Sequence, residues 1–172
     1  MYFGVHGRPE KLANRANLNH HCKSLEVFRK FLMTSTKPTL TEITAFLKTE
    51  FPQSKCSVDA VGDKSATIRH NIGEAELRPG GTVSGPVMMF VADVALYVAI
   101  LGEIGIVPLT VTTSLNINFL RKPAADKAII GVCKLIKLGR TLAIGEVSIY
   151  SEGNPEMVAH AVGTYAIPRK AS

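Results

Sequence analysis

One acidic residue, Asp93, stands in the most apolar segment of the 172-residue sequence, and residues 87–101 contain no other charge. Removing a carboxylate from water is costly unless it is hydrogen-bonded or faces a cavity. In a cavity such a group can act as a nucleophile or as a general base. In a packed core it would instead hydrogen-bond to a strand or to a partner subunit. The residues alone leave both interpretations open.

Familiar nucleotide and hydrolase motifs are absent from the sequence. Gly80 and Gly85 have the first spacing of a phosphate-binding loop, but Pro86 occupies the position of its lysine. The dinucleotide pattern GxGxxG fails because Thr82 stands at its middle glycine. The serine-hydrolase pattern GxSxG does not occur.

The sequence also gives little support for a metal site or a disulfide framework. His70 and His160 lie on predicted strands without Cys, Asp or Glu at metal-ligand spacing. We therefore interpret them as hydrogen-bonded or solvent-exposed side chains and not as metal ligands. The three cysteines, Cys22, Cys56 and Cys133, are odd in number and far apart. They therefore predict neither a zinc site nor a disulfide framework, and they fit a reducing compartment.

The net charge of +6 is unevenly distributed, because residues 1–32 carry +4 and residues 33–172 only +2. We interpret 1–32 as a basic N-terminal extension outside the fold, and 33–172 as a single domain. The extension has no RNA-recognition, zinc-finger or arginine-rich signature and no signal-peptide core. The longest apolar stretch, 86–101, is shorter than a typical membrane span and contains a charge. These features predict a soluble, cytoplasmic protein that binds neither nucleic acid nor membrane.

The elements around Asp93 predict an α+β fold. Capping, periodicity and turn signals indicate a short helix (39–51), a hairpin (56–61 with 65–72), a Gly/Pro loop (78–86) and an enclosed apolar helix (87–103). Four further strands are predicted at 109–119, 128–138, 141–150 and 157–167. In the strand 109–119 the odd positions from 111 are mostly apolar, so one face is expected to be buried. Short turns make the last three strands antiparallel neighbours. A curved sheet wrapped around one helix follows.

Three segments carry a resemblance to a known family. They are residues 84–93 (SGPVMMFVAD), 116–121 (NINFLR) and 138–141 (LGRT). They resemble the phenylacetate-pathway type of hotdog-fold acyl-CoA thioesterases, whose members show His-Gly-Gly before an Ala-Asp or Val-Asp on the central helix, a strand near Ile-Asp-Phe-Leu-Arg-Pro and a Gly-Lys/Arg-Thr turn. The resemblance extends over about residues 55–168 and implies the hotdog fold.

The resemblance implies roles for individual residues. Asp93 matches the catalytic carboxylate, which attacks the thioester carbonyl or activates a water. Gly85 matches the glycine whose N–H polarises the thioester oxygen, a role that suits a free N–H at a helix N-terminus. Thr112 falls where some members place a Ser or Thr that orients the nucleophilic water from the partner subunit.

Four further residues match substrate-binding or CoA-binding positions of the family. Ser84 replaces the histidine of His-Gly-Gly and is also the natural helix cap, while Arg78 stands where many members have an asparagine. Arg121 and Arg140 lie where basic residues can meet CoA phosphates, although solvated turn charges explain them equally well.

We therefore expect an acyl-CoA thioesterase that uses no metal or bound cofactor. The family implies a homodimer or a dimer of dimers, with two sites at the subunit interface. The alternative is a non-catalytic hotdog protein that binds acyl-CoA or an acyl carrier, and a nucleic-acid-binding module is the least favoured hypothesis. The acyl group stays open among aryl, short and medium chains.

Overall fold

A computed structural model describes residues 37–169 of the chain. The predicted extension 1–32, the boundary at residue 33 and Cys22 lie outside the described residues. The described residues form two α-helices and eight β-strands. Their arrangement is the predicted α+β hotdog architecture, in which an antiparallel sheet wraps around one long apolar helix.

The first helix, α1 (Leu40–Glu50), begins as its sequence predicts. Thr39 and Glu42 form a reciprocal capping box: the Glu42 N–H donates to the Thr39 hydroxyl at 3.2 Å, and the Thr39 N–H donates to the Glu42 carboxylate at 2.8 Å. Ile43 and Leu47 are buried on the face that packs onto the rest of the fold. The helix ends just before Pro52, which cannot continue it.

The central helix, α2 (Gly85–Ile104), is enclosed by the sheet, and eleven of its twenty residues are buried. By length and composition α2 could cross a bilayer, which corrects the expectation that the apolar segment is too short. However, 61% of its apolar window is buried inside the protein, as in the core helix of a soluble domain. Ser84 is the N-cap residue, but its side chain forms no capping hydrogen bond.

Six strands form one antiparallel sheet in the order β1-β2-β6-β7-β8-β5. Two-residue strands β3 and β4 form a separate ribbon in the loop before α2. The strand bounds are β1 Cys56–Gly62, β2 Ser65–His70, β3 Leu77–Arg78, β4 Thr82–Val83, β5 Val111–Phe119, β6 Ile129–Leu138, β7 Leu142–Ser151 and β8 Met157–Ala166. The hairpin and the last three neighbouring strands are therefore confirmed.

Three glycines on the inner face of the sheet let α2 approach the strands closely. A Cβ added to Gly131 would lie 2.7 Å from the Val91 side chain, and one added to Gly145 or Gly163 would lie 2.7 or 2.5 Å from Leu96. No real side chain tolerates such contacts without moving its neighbour. The glycines therefore set the depth at which α2, and with it Asp93, sits in the sheet.

Strand β5 differs from its prediction. It lies at the edge of the sheet beside β8, not beside the strand that follows it in sequence. The register shift between Thr112 and Ser114 breaks the expected apolar face, because Val111 pairs with Ala166 and so lies on the opposite face from Leu115, Ile117 and Phe119. On the inner face Leu115 and Ile117 are half-buried and Phe119 is 51% exposed, while Val111 is 53% exposed. Period-two alternation shows neither a bulge nor what covers a face.

Candidate active site

The Asp93 carboxylate accepts two short hydrogen bonds at one oxygen. The Thr112 hydroxyl donates to Oδ1 at 2.6 Å, and the Tyr165 hydroxyl lies 2.6 Å from the same oxygen. Tyr165 also reaches the backbone carbonyl of Asp93 at 2.9 Å. Within residues 37–169 no hydrogen bond reaches Oδ2, so one carboxylate oxygen is held and the other is available.

Sheet register brings the two donors together. Thr112 on β5 pairs directly with Tyr165 on β8, and the register shifts immediately after Thr112. Such a bulge bends a strand and redirects its side chains. Both hydroxyls thereby meet at the middle of α2, where Asp93 is half-buried.

A cleft of about 510 Å³ opens beside the carboxylate. Its lining includes the aromatic rings of Phe46 on α1, Phe51 just after α1, Tyr97 on α2 and Tyr165 on β8. Tyr97 stacks on Tyr165 with ring centroids 6.3 Å apart, and Phe46 lies 6.4 Å from Tyr97. An apolar cleft with a carboxylate and hydroxyls at one place is suited to an apolar ligand that carries one reactive polar group.

Burial keeps both tyrosine hydroxyls of the cleft protonated. It raises the pKa of Tyr97 to about 12. Burial, followed by the negative charge of Asp93, raises the pKa of Tyr165 well above its usual value. At neutral pH the Tyr165 hydroxyl therefore keeps its proton and can donate it in a hydrogen bond to the carboxylate.

Gly85 lies at the N-terminal end of α2, away from Asp93. It is the first residue of α2, where backbone N–H groups lack an intrahelical acceptor. The Phe119 ring covers it, since a Cβ added at Gly85 would lie 3.1 Å from that ring. Gly85 precedes Asp93 by eight residues, which is about 12 Å along a helix axis. The structure therefore separates the two residues that the resemblance assigns to one reaction.

The three arginines singled out by the resemblance occupy different surroundings. Arg121 pairs with Glu156 at 3.0 Å and donates to the Met157 carbonyl at 3.0 Å. Arg78, on β3, and Arg140, in the β6–β7 turn, are exposed and form no ion pair within residues 37–169. Of the three arginines that the resemblance singles out, Arg78 and Arg140 are therefore the two without an ion-pair partner among residues 37–169.

Within residues 37–169 the remaining nucleophilic and metal-ligating side chains form no second centre. Cys56 and His70 are in contact, with Sγ 3.4 Å from Nδ1, but burial lowers the pKa of His70 and raises that of Cys56 to about 12. Burial likewise raises the pKa of Cys133 to about 12. Both thiols are free and protonated at neutral pH. Among the residues described here, no group of His, Cys, Asp and Glu could hold a metal ion.

Comparison with known proteins agrees with this architecture. The model of the thioesterase superfamily matches residues 80–158, from the glycines before α2 to the start of β8. A candidate thioesterase of Silicibacter sp. has 42% identity and a TM-score of 0.70, covering 77% of this chain and 92% of its own. The chain belongs to the thioesterase superfamily. It is therefore a thioester hydrolase, as the sequence predicted.

More distant structures share the fold of this thioesterase. A variant of the phenylacetic acid degradation protein PaaI of Thermus thermophilus has 22% identity and a TM-score of 0.60, covering 69% of this chain and 99% of its own. A hypothetical thioesterase of Streptococcus pneumoniae, whose structure contains coenzyme A, has 17% identity and a TM-score of 0.63, covering 73% and 99%. A search of curated proteins gave no match.

The structure adds to the sequence prediction at two residues beside Asp93. Thr112, for which the resemblance implies a role from the partner subunit, contacts Asp93 of its own chain, because β5 pairs with β8 and brings Thr112 beside Tyr165. Tyr165 was not singled out from the sequence. Its signal is the pattern of β8, where Ala159, Ala161 and Gly163 share the inner face with one large residue, Tyr165.

Proposed function

We propose that this thioester hydrolase cleaves acyl-CoA to a free acid and CoA, with Asp93 as nucleophile or general base. The observation that carries the proposal is the Asp93 carboxylate, held at Oδ1 by two hydroxyls at 2.6 Å beside an aromatic cleft. The acyl group would occupy this cleft, and no metal or bound cofactor is needed. The protein would act in the cytoplasm, where its free thiols remain reduced.

Both chemical routes use the unbonded oxygen of Asp93. In the first, Oδ2 attacks the thioester carbonyl, the C–S bond breaks, and CoA leaves as a thiolate that takes up a proton. Water then hydrolyses the resulting anhydride and regenerates the carboxylate. In the second, Oδ2 takes a proton from a water that attacks the same carbonyl directly. Thr112 is within reach to orient that water or the carboxylate.

The Gly85 N–H is proposed as the donor to the thioester oxygen. A carbonyl whose carbon meets Asp93 cannot reach an N–H about 12 Å away on the same helix. The proposal therefore requires Gly85 from one chain and Asp93 from another, which supports the homodimer implied by the family resemblance. Ser84 flanks Gly85 and would contact substrate at that end of the site.

The residues around Gly85 and those around Asp93 lie far apart along β8, which supports a site divided between two chains. Phe119, which covers Gly85, pairs with Ala159, whereas Thr112 pairs with Tyr165, six residues or about 20 Å along β8. Arg121 lies at the Gly85 end and Arg140 beyond the Asp93 end. An antiparallel pair of chains would join the Gly85 end of one with the Asp93 end of the other. A dimer of dimers would add contacts through the outer sheet face, where Val132 and Ile136 are exposed.

Phosphates of CoA would bind to Arg78 and Arg140, whose guanidinium groups are free, and to Arg121 if its pair with Glu156 opens. The coenzyme A in the Streptococcus pneumoniae structure supports CoA as the leaving group. The proposed domain 33–172 would contain all of these residues.

The test is release of free thiol from a panel of aryl-, short- and medium-chain acyl-CoA substrates. We expect wild-type turnover on at least one substrate and a loss of about 10³-fold or more in Asp93→Asn, with little change in melting temperature because the amide oxygen can still accept both hydrogen bonds. Asp126→Asn, an exposed aspartate in the β5–β6 connection, is the matched control and should retain full activity. Binding of acyl-CoA without turnover by the wild type would contradict the enzyme and favour the non-catalytic alternative.

A further inference from the structure

Tyr165 contacts Asp93 in the cleft, and the family resemblance does not account for this contact. Its side chain is 2% exposed, and its hydroxyl lies 2.6 Å from Asp93 Oδ1 and 2.9 Å from the Asp93 carbonyl oxygen. One hydroxyl thus contacts the carboxylate and the backbone of the same residue. Such a pair of contacts fixes the side-chain torsions of that residue.

We propose that Tyr165 is a positioning residue, whose hydroxyl holds Asp93 Oδ1 so that Oδ2 faces the thioester. This inference rests on the proposed function of Asp93. The Tyr165 hydroxyl itself does not exchange protons with the substrate.

The support behind Tyr165 is rigid. Its backbone lies in β8 between two strands, paired with Thr112 on one side and Ala143 on the other. Its ring stacks on Tyr97 at an interplanar angle of 22°. A donor held by the sheet and by a stacked ring loses little entropy when it orients the carboxylate, and this is the support that a reacting group needs.

The two carboxylate oxygens of Asp93 have different roles because both hydroxyl donors bond to the same one. Thr112 and Tyr165 both bond to Oδ1, which leaves Oδ2 without a donor among the described residues. On the nucleophilic route Oδ1 becomes the aspartyl carbonyl oxygen of the anhydride, and it gains charge when water attacks that carbon. The same two hydroxyls would then stabilise this charge. On the general-base route they keep Oδ2 turned toward the water.

Tyr165→Phe tests the proposal, because it keeps the ring and its stacking but removes the hydroxyl. We expect kcat to fall by about 10- to 100-fold with KM changed less than about threefold, since only the reacting geometry is lost. Tyr150→Phe on the neighbouring strand β7 is the matched control and should keep both constants. Unchanged kcat in Tyr165→Phe, or a raised KM with unchanged kcat, would overturn the positioning role.

The crystal structure of Tyr165→Phe supplies a readout that does not depend on turnover. We expect the Asp93 carboxylate to take more than one orientation in this variant and a single orientation in Tyr150→Phe. A single, unchanged Asp93 orientation in both variants would overturn the proposal. If the wild type hydrolyses no thioester, the proposed function fails, and the orientation of Asp93 still decides whether Tyr165 positions it.

Thr112→Val is a second variant, measured alone and combined with Tyr165→Phe. Thr112 is exposed, so its substitution leaves the core intact. If the two hydroxyls hold the same oxygen, the double variant should lose a factor different from the product of the two single losses. Independent, multiplicative losses would contradict a shared action on Oδ1.

Discussion

Gly85 combines three structural features within one residue. It begins α2 with a free N–H, it precedes Pro86, and it lies under the Phe119 ring. A side chain at this position must displace an exposed ring by a few tenths of an ångström, and the following proline disfavours helical backbone for any residue with a Cβ. Loss of activity in a bulky variant therefore has a steric explanation as well as a chemical one.

A matched pair of substitutions at Gly85 separates these explanations. Gly85→Ala adds the Cβ and keeps the N–H, whereas Gly85→Pro adds a similar Cβ and removes the N–H. Proline is tolerated at the first helical position, and Ser84 already has the extended backbone that a following proline requires, with φ −74° and ψ 148°. We expect similar melting temperatures for the two variants, but a kcat about 10²- to 10³-fold lower for proline than for alanine. Equal turnover per folded molecule would exclude the N–H as the oxyanion donor.

Among the helices and strands, the sequence predicts those features that depend on residues close together in the chain. The helix α1 follows from the Thr39–Glu42 capping box and the stop at Pro52. The helix α2 follows from an apolar stretch too long for a strand, and its predicted range of 87–103 is within two residues of the observed bounds. Turn residues between hairpins likewise place β1, β2 and β6–β8.

The sequence alone does not show which distant residues and strands become neighbours in the fold. Tyr165 is 72 positions from Asp93, and only the β5–β8 register brings Tyr165 and Thr112 to the same carboxylate oxygen. The edge position of β5 is equally hidden, because a period-two pattern is compatible with any neighbour. Asp93 could be singled out because a charge in an apolar helix is conspicuous by itself.

The exposed apolar residues of β5 lead to a prediction about assembly. Val111 and Phe119 are exposed at opposite ends of this edge strand, so a second β5 running antiparallel would cover both. We expect Val111→Lys combined with Phe119→Lys to convert the proposed dimer to monomers, measured by light scattering after size exclusion. Charges introduced at an apolar contact destabilise it.

Val132→Lys combined with Ile136→Lys is the control for this experiment. These residues are similarly exposed but lie on β6, away from the sheet edge. This variant should keep the dimer, and it should reduce a wild-type tetramer to dimers. A β5 variant with wild-type mass would show that the interface lies elsewhere.

For the whole molecule, the symmetry of the proposed dimer would decide how the separated residues meet. In a twofold dimer each chain contributes the same surface, so a Gly85 end contacting the partner's Asp93 end occurs twice. Such a dimer would contain two complete sites, each with residues of both chains. This arrangement is consistent with the separation of about 12 Å along α2, which a single chain cannot bridge at one carbonyl.

Mixing two inactive variants tests this arrangement directly. Gly85→Pro chains keep Asp93, and Asp93→Asn chains keep Gly85, so each heterodimer has one intact site and one doubly altered site. Random assortment makes half of the dimers heterodimers, and we expect co-expressed variants to recover about a quarter of the wild-type activity per mole of chain. If Gly85 and Asp93 acted within one chain, no mixture would exceed the activity of its components. Each variant co-expressed with itself is the control, and purification through two different tags should raise the recovered activity of the heterodimer to about half of the wild-type value.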